Sequence, residues 1–400
     1  MRKTKGEKSR LTLSGTDKTL FLTVILLLIY GSVMVFSASA PYAESNHGDS
    51  AYYAKRQIFW AVLGALGMLV CAALPSELHK RYTAPIGFAV AAALLVIVLF
   101  TGGAIKRWIN IGFFSIQPSE MMKPMLILVM ARYMEWAQPY IKRNGLYRGG
   151  AFVSGIADKP AFIRASFYGV FVPTMIVFGV SMLIMLENHF SGTLITFCIG
   201  AIVIFAGGAM LRWFAGAGAI ACAAVFAVLF GTDYASERID IWLHPESFSV
   251  SDETWQITQG LIAIGSGGVF GTGLGKGMQK QLYVSAAHND FIFSIVCEEL
   301  GMLGAILLIA LFFMLLRRGV ELAQESETLF ESLVAIGIVG HIALQAFLNV
   351  GVVTGTIPNT GVTLPFFSYG GSALVVLLCE SGILLSVTKK PKKQREDEIK

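Results

Sequence analysis

Ten apolar runs, each near the 20 residues a helix needs to cross a bilayer, decide what this chain can be. At about 1.5 Å rise per residue, such a run spans a hydrocarbon core of roughly 30 Å. The runs fall at 19–40, 57–74, 84–102, 118–136, 165–186, 190–207, 212–231, 291–316, 331–354 and 369–387. The fifth and sixth are nearly continuous, which leaves a count of nine open. No strand-like alternation runs through them, which argues against a β-barrel. The expected fold class is an all-α polytopic membrane protein of about ten transmembrane helices. It forms a single membrane domain over 19–387, with basic tails at 1–18 and 388–400 and one large external loop at 232–290.

Composition agrees. Charged residues make up only 14% of the chain and apolar ones 55%, whereas soluble domains carry roughly a quarter charged residues. Disorder is excluded by the same figures. Cys71, Cys198, Cys222, Cys297 and Cys379 all lie inside apolar runs with neither CxxC nor zinc spacing, so they read as small core residues. The net charge of +5 is not a nucleic-acid footprint, because the basic residues flank apolar runs instead of lining one surface.

Those basic residues also give an orientation. With the N-terminus inside, 23 Lys and Arg fall on that side against 7 on the other, and Lys123 lies within a span. This positive-inside bias places both termini in the cytoplasm. Ala38-Ser39-Ala40 resembles a signal cleavage site, but its apolar stretch exceeds a signal h-region and Pro41 follows at once, so the first span reads as an uncleaved anchor. The basic cytoplasmic loop 137–164 reads as a solvated tether near anionic membrane lipids.

Ionisable groups within the spans are costly and mark candidate sites. Glu120 and Lys123 stand i, i+3 in the fourth span, near enough to neutralise each other. They form either a buried structural pair or a cavity wall at which Lys123 receives an anionic head group. Lys106 and Arg107, beside Trp108, either anchor the interface or hold a phosphate. Asp290 ends the large external loop at the start of the eighth span. It either caps that helix or serves chemistry at the outer membrane edge. Glu298 and Glu299 sit two turns deeper with nothing in their own span to neutralise them; at 100° per residue they lie about 80° and 180° round from Asp290 and so face different neighbours, one of them another helix. His341, Gln345 and Asn349 make one polar stripe, which interhelical hydrogen bonding explains. His189, between spans five and six, reads as structural. No His/Asp/Glu set shows metal spacing, and no cofactor is evident.

Two glycine-bearing segments remain. The run Gly265–Gly277 fits neither GxGxxG nor GxxxxGK[ST]; on the outside, its glycines would let backbone approach the membrane or a glycan closely. The segment Gly361–Ser372 reads as a re-entrant or broken-helix element, tolerable only where it is buried or lines a cavity.

Three of these motifs, in order, resemble the FtsW/RodA/SpoVE (SEDS) family over nearly the whole chain. They are Arg107-Trp108-Ile109 with Gln117-Pro118-Ser119-Glu120 and Lys123; His288-Asn289-Asp290-Phe291-Ile292-Phe293 with Glu298-Glu299-Leu300-Gly301; and Pro358-Asn359-Thr360-Gly361 through Leu364-Pro365-Phe366-Phe367-Ser368-Tyr369-Gly370-Gly371-Ser372. Asp17-Lys18, Ser37-Ala38-Ser39 and Gly361-Val362-Thr363-Leu364 look more like the division and sporulation branch. The chain departs from the family at Ala286-Ala287, where Pro-Glu is usual, and at Asn188–Thr193, where Pro-Asp-x-Gly-Thr is usual.

The resemblance implies a peptidoglycan glycosyltransferase that polymerises lipid II at the outer face of the membrane. Asp290 would be the catalytic carboxylate, deprotonating the GlcNAc 4-hydroxyl as it attacks C1 of the donor MurNAc and expels undecaprenyl pyrophosphate. One inversion requires one base and no covalent intermediate. Arg107 and Lys123 are the candidates for holding the pyrophosphate, with room for a divalent cation to share that task. Glu120, His288, Glu298, Glu299 and Ser368 would support them. The family further implies a class B penicillin-binding protein as partner, since this chain has no transpeptidation motif. A lipid II flippase would use the same cavity and cations without needing Asp290, and a scaffold for the transpeptidase would need none of these residues. An ion-coupled transporter fits less well, because the deepest carboxylates show no repeat symmetry.

Overall fold

The computed structural model describes residues 17–100, 107–112, 114–142, 159–210 and 252–387, together with Trp213, Gly216 and Trp242. Ten helices occur among them: α1 (Lys18–His47), α2 (Tyr52–Ala73), α3 (Ser76–Leu99), α4 (Pro118–Lys142), α5 (Phe162–Met185), α6 (Phe190–Ala206), α7 (Asp252–Ser266), α8 (Ile292–Glu325), α9 (Leu329–Val353) and α10 (Gly371–Val387). Nine of these are the expected spans; α7 was not foreseen, and the expected span 212–231, apart from Trp213 and Gly216, lies outside the described residues, as does Lys106. Short β1 (Ile109–Ile111) and β2 (Phe114–Ile116) pair antiparallel before α4. This hairpin was not expected, because three residues a side are too few to register as alternation.

The bundle is apolar on the outside, and its largely apolar interior also holds buried polar side chains. On α1, Leu22, Leu26, Ile29, Val33 and Phe36 are exposed at the 4, 3, 4, 3 spacing of one helix face, while Thr23, Ser37 and Ser39 are buried. A helix apolar all round suits lipid, not water. Helices α1, α2, α3, α5, α8 and α9 are long and apolar enough to cross a membrane, and α6 and α10 are shorter apolar helices. Helix α4 carries charges because it is central. Its Met122, Leu126, Ile127, Met130 and Ala131 are wholly buried against neighbouring helices, so no lipid meets Glu120 or Lys123. The first helix continues unbroken through Ala38-Ser39-Ala40 and Pro41.

Helices α3 and α5 each contain one π-turn, at His79–Thr83 and Phe167–Phe171. Each lies just before a proline, Pro85 and Pro173, in the next turn. Proline has no N–H to donate and its ring displaces the carbonyl of residue i−4, so the helix widens there.

Helix α8 is broken at Gly301, whose φ of 64° and ψ of −162° are not helical. The two carbonyls and two N–H groups released by the break are satisfied by the glycine-rich segment after α7. Thr272 and Gly273 N–H donate to the Glu298 and Glu299 carbonyls (2.9 and 3.0 Å), and Met302 and Leu303 N–H donate to Gly268 and Val269 (2.9 and 3.3 Å). Side chains could not fit: a Cβ on Gly267 or Gly271 would lie 1.9 or 2.1 Å from a backbone oxygen of α8. The glycines therefore let backbone approach a broken helix, not the membrane surface or a glycan as expected. The depth is set by two contacts with α1. Tyr30 hydroxyl donates to the Gly304 carbonyl (3.1 Å) and Lys280 Nζ donates to Ser37 Oγ (2.9 Å), and both partners lie well inside the 30-residue α1. Part of the expected outer loop is thus a re-entrant element reaching mid-bundle, with Phe270 turned outward and 80% exposed.

Candidate functional site

The last loop of this re-entrant element delivers Asp290 to the mouth of a polar cavity. Three consecutive carbonyls fix it there. Tyr369 N–H donates to the His288 carbonyl (2.9 Å). Ser368 Oγ donates to the Asn289 carbonyl (2.6 Å) while accepting from Leu364 N–H (2.7 Å). Asn349 Nδ2 donates to both the Asp290 and Val362 carbonyls (2.7 Å each). The polar stripe of α9 thus serves mostly irregular backbone: Gln345 Nε2 donates to the Thr363 carbonyl (3.1 Å), and only His341 meets another helix, at Glu380 (3.0 Å).

Asp290 does not cap α8. The N-cap residue is Phe291, and it makes no side-chain cap hydrogen bond, so the capping explanation for this carboxylate falls away. The carboxylate lies near Gly361, where an added Cβ would stand 3.8 Å from Oδ2. Burial raises its pKa above the ordinary aspartate value, opposed by its own backbone N–H. A carboxylate held more basic than usual, on a rigid loop, is equipped to accept a proton.

The cavity encloses about 960 Å³ and brings together four of the predicted residues, Asp290, Arg107, Lys123 and Glu120. Lys123 Nζ and Glu120 are paired at 2.7 Å, with Lys123 only 2% exposed, so the pair is buried and also lines the cavity. Arg107 is tied to the turn after α5. Its guanidinium donates to the Glu187 carbonyl (3.3 Å) and to the Asn188 carbonyl, in a turn that Asn188 closes with φ 57°. The Glu187 carboxyl is 1% exposed, and neither oxygen has a partner among the described residues. Burial pushes it up to about 8 against the pull of the Arg107 charge, so its ionised form is disfavoured. His189 also lines the cavity, near Gln117 and Ser119 (3.4 Å each), and burial lowers it to about 4.

The remaining predicted residues lie behind this surface. His288 is buried among Tyr53, Tyr42 and Tyr369, with ring centroids 4.7, 5.4 and 5.8 Å away, and burial lowers it to about 4. Ser368 positions the Asp290 loop as described. Glu298 and Glu299 differ in part as expected, because Glu299 alone reaches another helix, at Ser37 of α1. Both fold back on the glycine-rich segment. Glu298 accepts from Met278 and Gln279 N–H (2.6 and 3.1 Å). Glu299 accepts from Gly275 N–H (3.0 Å) and from Ser37 Oγ (2.6 Å), and pairs with Lys280 at 2.6 Å. Lys280 is thus a buried, neutralised cation and not an exposed charge of the outer side.

Sequence reasoning missed Lys55 and Arg56, which line the cavity from the start of α2; there they had counted only as flanking charge. Among the described residues, four cations, Lys55, Arg56, Arg107 and Lys123, and two carboxylates, Glu120 and Asp290, line the cavity. That balance suits a ligand with an anionic head group. No group of three His, Cys, Asp or Glu side chains gathers as a metal cage among the described residues.

Comparison with known proteins places the chain in a family. The profile of the FtsW/RodA/SpoVE cell cycle protein family matches residues 17–393. The chain is 37% identical over 384 residues to a protein of Trichlorobacter lovleyi named "Probable peptidoglycan glycosyltransferase FtsW", covering 94% of each. It is 36% identical to stage V sporulation protein E of Bacillus subtilis, covering 94% of this chain and 98% of that one. Among solved structures it resembles a chain of a peptidoglycan synthase complex that coordinates polymerization and crosslinking. The TM-score is 0.72 at 25% identity, over 94% of this chain and 98% of that one.

Proposed function

Because the chain belongs to the FtsW/RodA/SpoVE family, we propose that it is a peptidoglycan glycosyltransferase that polymerises lipid II into β-1,4 glycan at the outer face of the bacterial cytoplasmic membrane. The observation that carries this reading is the Asp290 carboxylate, which caps no helix, is fixed through three backbone carbonyls, and shares one cavity with Arg107 and Lys123. A flippase or a scaffold would have no use for so rigidly held a base.

In the proposed reaction the acceptor GlcNAc O4 gives its proton to Asp290 and forms a bond to C1 of the donor MurNAc. The bond from C1 to the phosphate oxygen breaks, and undecaprenyl pyrophosphate leaves with the electron pair. Arg107, which lines the cavity and has no ion-pair partner among the described residues, meets the charge that develops on the leaving group. Lys123, already paired with Glu120, holds the head group in the ground state. A divalent cation, held by the cavity carboxylates Asp290 and Glu120, would add positive charge against the pyrophosphate. Both termini are assigned to the cytoplasm from the distribution of basic residues. Crosslinking is assigned to a class B penicillin-binding protein, a reading that the likeness to a synthase complex supports.

The test is polymerisation of purified lipid II in liposomes by wild type and Asp290→Asn, with a partner whose transpeptidase site is blocked, repeated in EDTA. Polymer from wild type alone supports the reading. Equal transport of lipid II by both proteins with no polymer from either would replace it with a flippase.

A further inference from the structure

The strap Gly361–Ser372 and the Asp290 loop hold each other in place. Asn349 bridges the Val362 and Asp290 carbonyls, and Ser368 Oγ joins Leu364 N–H to the Asn289 carbonyl. Thr363 lies between Val362 and Leu364, and Gln345 Nε2 holds it twice, at its carbonyl (3.1 Å) and at Oγ1 (3.0 Å). Gln345 and Thr363 line the Asp290 cavity. They also border a second cavity of about 30 Å³, which reaches His341 and Glu380.

The hydrogen bonds along this second cavity determine one another. A carbonyl only accepts, so the Gln345 amide must turn its nitrogen to Thr363 and its oxygen to His341. His341 Nε2 stands 2.9 Å from that oxygen and therefore carries a proton. Nδ1 stands 3.0 Å from both oxygens of Glu380, a contact that needs a further proton, on the ring or on the carboxyl. Either way the pair is neutral overall, which suits two side chains 3% and 0% exposed, at the midpoint of α9 and within α10. Glu120, the other carboxylate at this cavity among the described residues, is already met by Lys123 (2.7 Å). A contact that only joined α9 to α10 would need one ring nitrogen of His341. The second is given to Gln345.

Resting on the polymerase reading above, we propose that His341 and Glu380 are positioning residues for the reaction: they lock the Gln345 amide in the one orientation that ties the strap, at Thr363, to the wall of the Asp290 cavity. Neither touches substrate. With the lock released the amide is free to rotate and the Thr363 carbonyl loses its donor. The strap then loosens between Val362 and Leu364, the two residues through which it is joined to the Asp290 loop.

Two measurements test this. The first needs no catalysis: solid-state nitrogen NMR of the full-length protein in liposomes, isotope-labelled at histidine, with the His341 signals identified by their shift in Glu380→Gln. Nε2 carries a proton in wild type and in Glu380→Gln, whose amide donates to Nδ1 in place of the shared proton. A neutral ring protonated at Nδ1 alone overturns the proposal, since Gln345 then turns its nitrogen to His341 and away from the Thr363 carbonyl.

The second is lipid II polymerisation with Glu380→Gln as the reference, because removing His341 from it strands no charge. Adding His341→Leu lowers kcat about tenfold with KM for lipid II changed far less, adding Gln345→Leu does the same, and adding both lowers it no further. Losses that multiply to about a hundredfold show that His341 does not act through Gln345, and they overturn the assignment. Unchanged kcat on adding His341→Leu, or a change in KM alone, reduces the pair to a helix–helix contact and also overturns it. So does a reference that makes no polymer where wild type does, because the amide orientation is then not what matters. Absence of polymer from wild type would overturn the polymerase reading itself, while the ring protonation still decides whether the pair orients Gln345.

Discussion

Replacing Glu299 by Gln tests how the broken helix holds the base. The Glu299 carboxylate is fully buried and binds Lys280 at 2.6 Å, Ser37 Oγ at 2.6 Å and Gly275 N–H at 3.0 Å. With the carboxylate charge gone, Lys280 is a buried cation lacking its counter-ion, a situation that costs about 3–5 kcal/mol. Lys280→Met leaves the carboxylate with Ser37 and the backbone donors, so it costs less. In the double variant no charge is stranded, and its total cost falls short of the sum of the singles by about 1–3 kcal/mol. Thermal unfolding in detergent for the four members of the cycle measures this. The same clasp links residues 275–280 to 298–299, with Asp290 between them in the chain, so loosening it also lowers kcat per folded molecule while KM for lipid II holds. Strictly additive unfolding costs, or full kcat in Glu299→Gln, would show that the clasp neither closes on itself nor positions Asp290.

Asn349→Ala strands the Asp290 and Val362 carbonyls, each of which accepts from Nδ2 at 2.7 Å. The expected stability loss is about 2 kcal/mol, with kcat falling more than KM rises; unchanged kcat in the folded variant would remove Asn349 from the positioning of the base. Glu187, raised to about 8 by burial, binds a proton more tightly in the folded state than in the unfolded one. The folded state therefore loses stability as pH rises from the ordinary glutamate range through 8. Glu187→Gln should match or exceed wild type at pH 8 and flatten that decline, as read from unfolding temperature against pH; a decline that persists unchanged assigns it to another group.

The spans were legible because a bilayer demands about 20 apolar residues from each helix, a local property that needs no knowledge of neighbours. Asp290 was legible for a related reason, as an ionisable group at a membrane edge at the end of a long loop. What the sequence concealed was pairing across distance. Glu298 and Glu299 lacked a neutralising group in their own span, and a glycine run ended some twenty residues before them. Each clue was visible, but only the fold shows that one answers the other, with Ser37 of α1 completing the clasp. Arg56 was hidden by its position: a cation at a helix start reads as interfacial charge until the fold shows it lining the same cavity as Asp290. The positive-inside count was correspondingly overgenerous to the outer side, because Lys280 is a buried partner and not a surface charge.

Glycan polymerisation by Asp290→Asn bears most directly on the central claim. The substitution keeps the shape of the side chain and leaves its three backbone anchors in place, so the protein folds and still binds lipid II. Wild type with its inactivated transpeptidase partner should convert lipid II into polymer, and Asp290→Asn at matched folded amounts should make none within the sensitivity of the assay. Polymer from Asp290→Asn at a rate near that of wild type would place the base elsewhere and contradict the account.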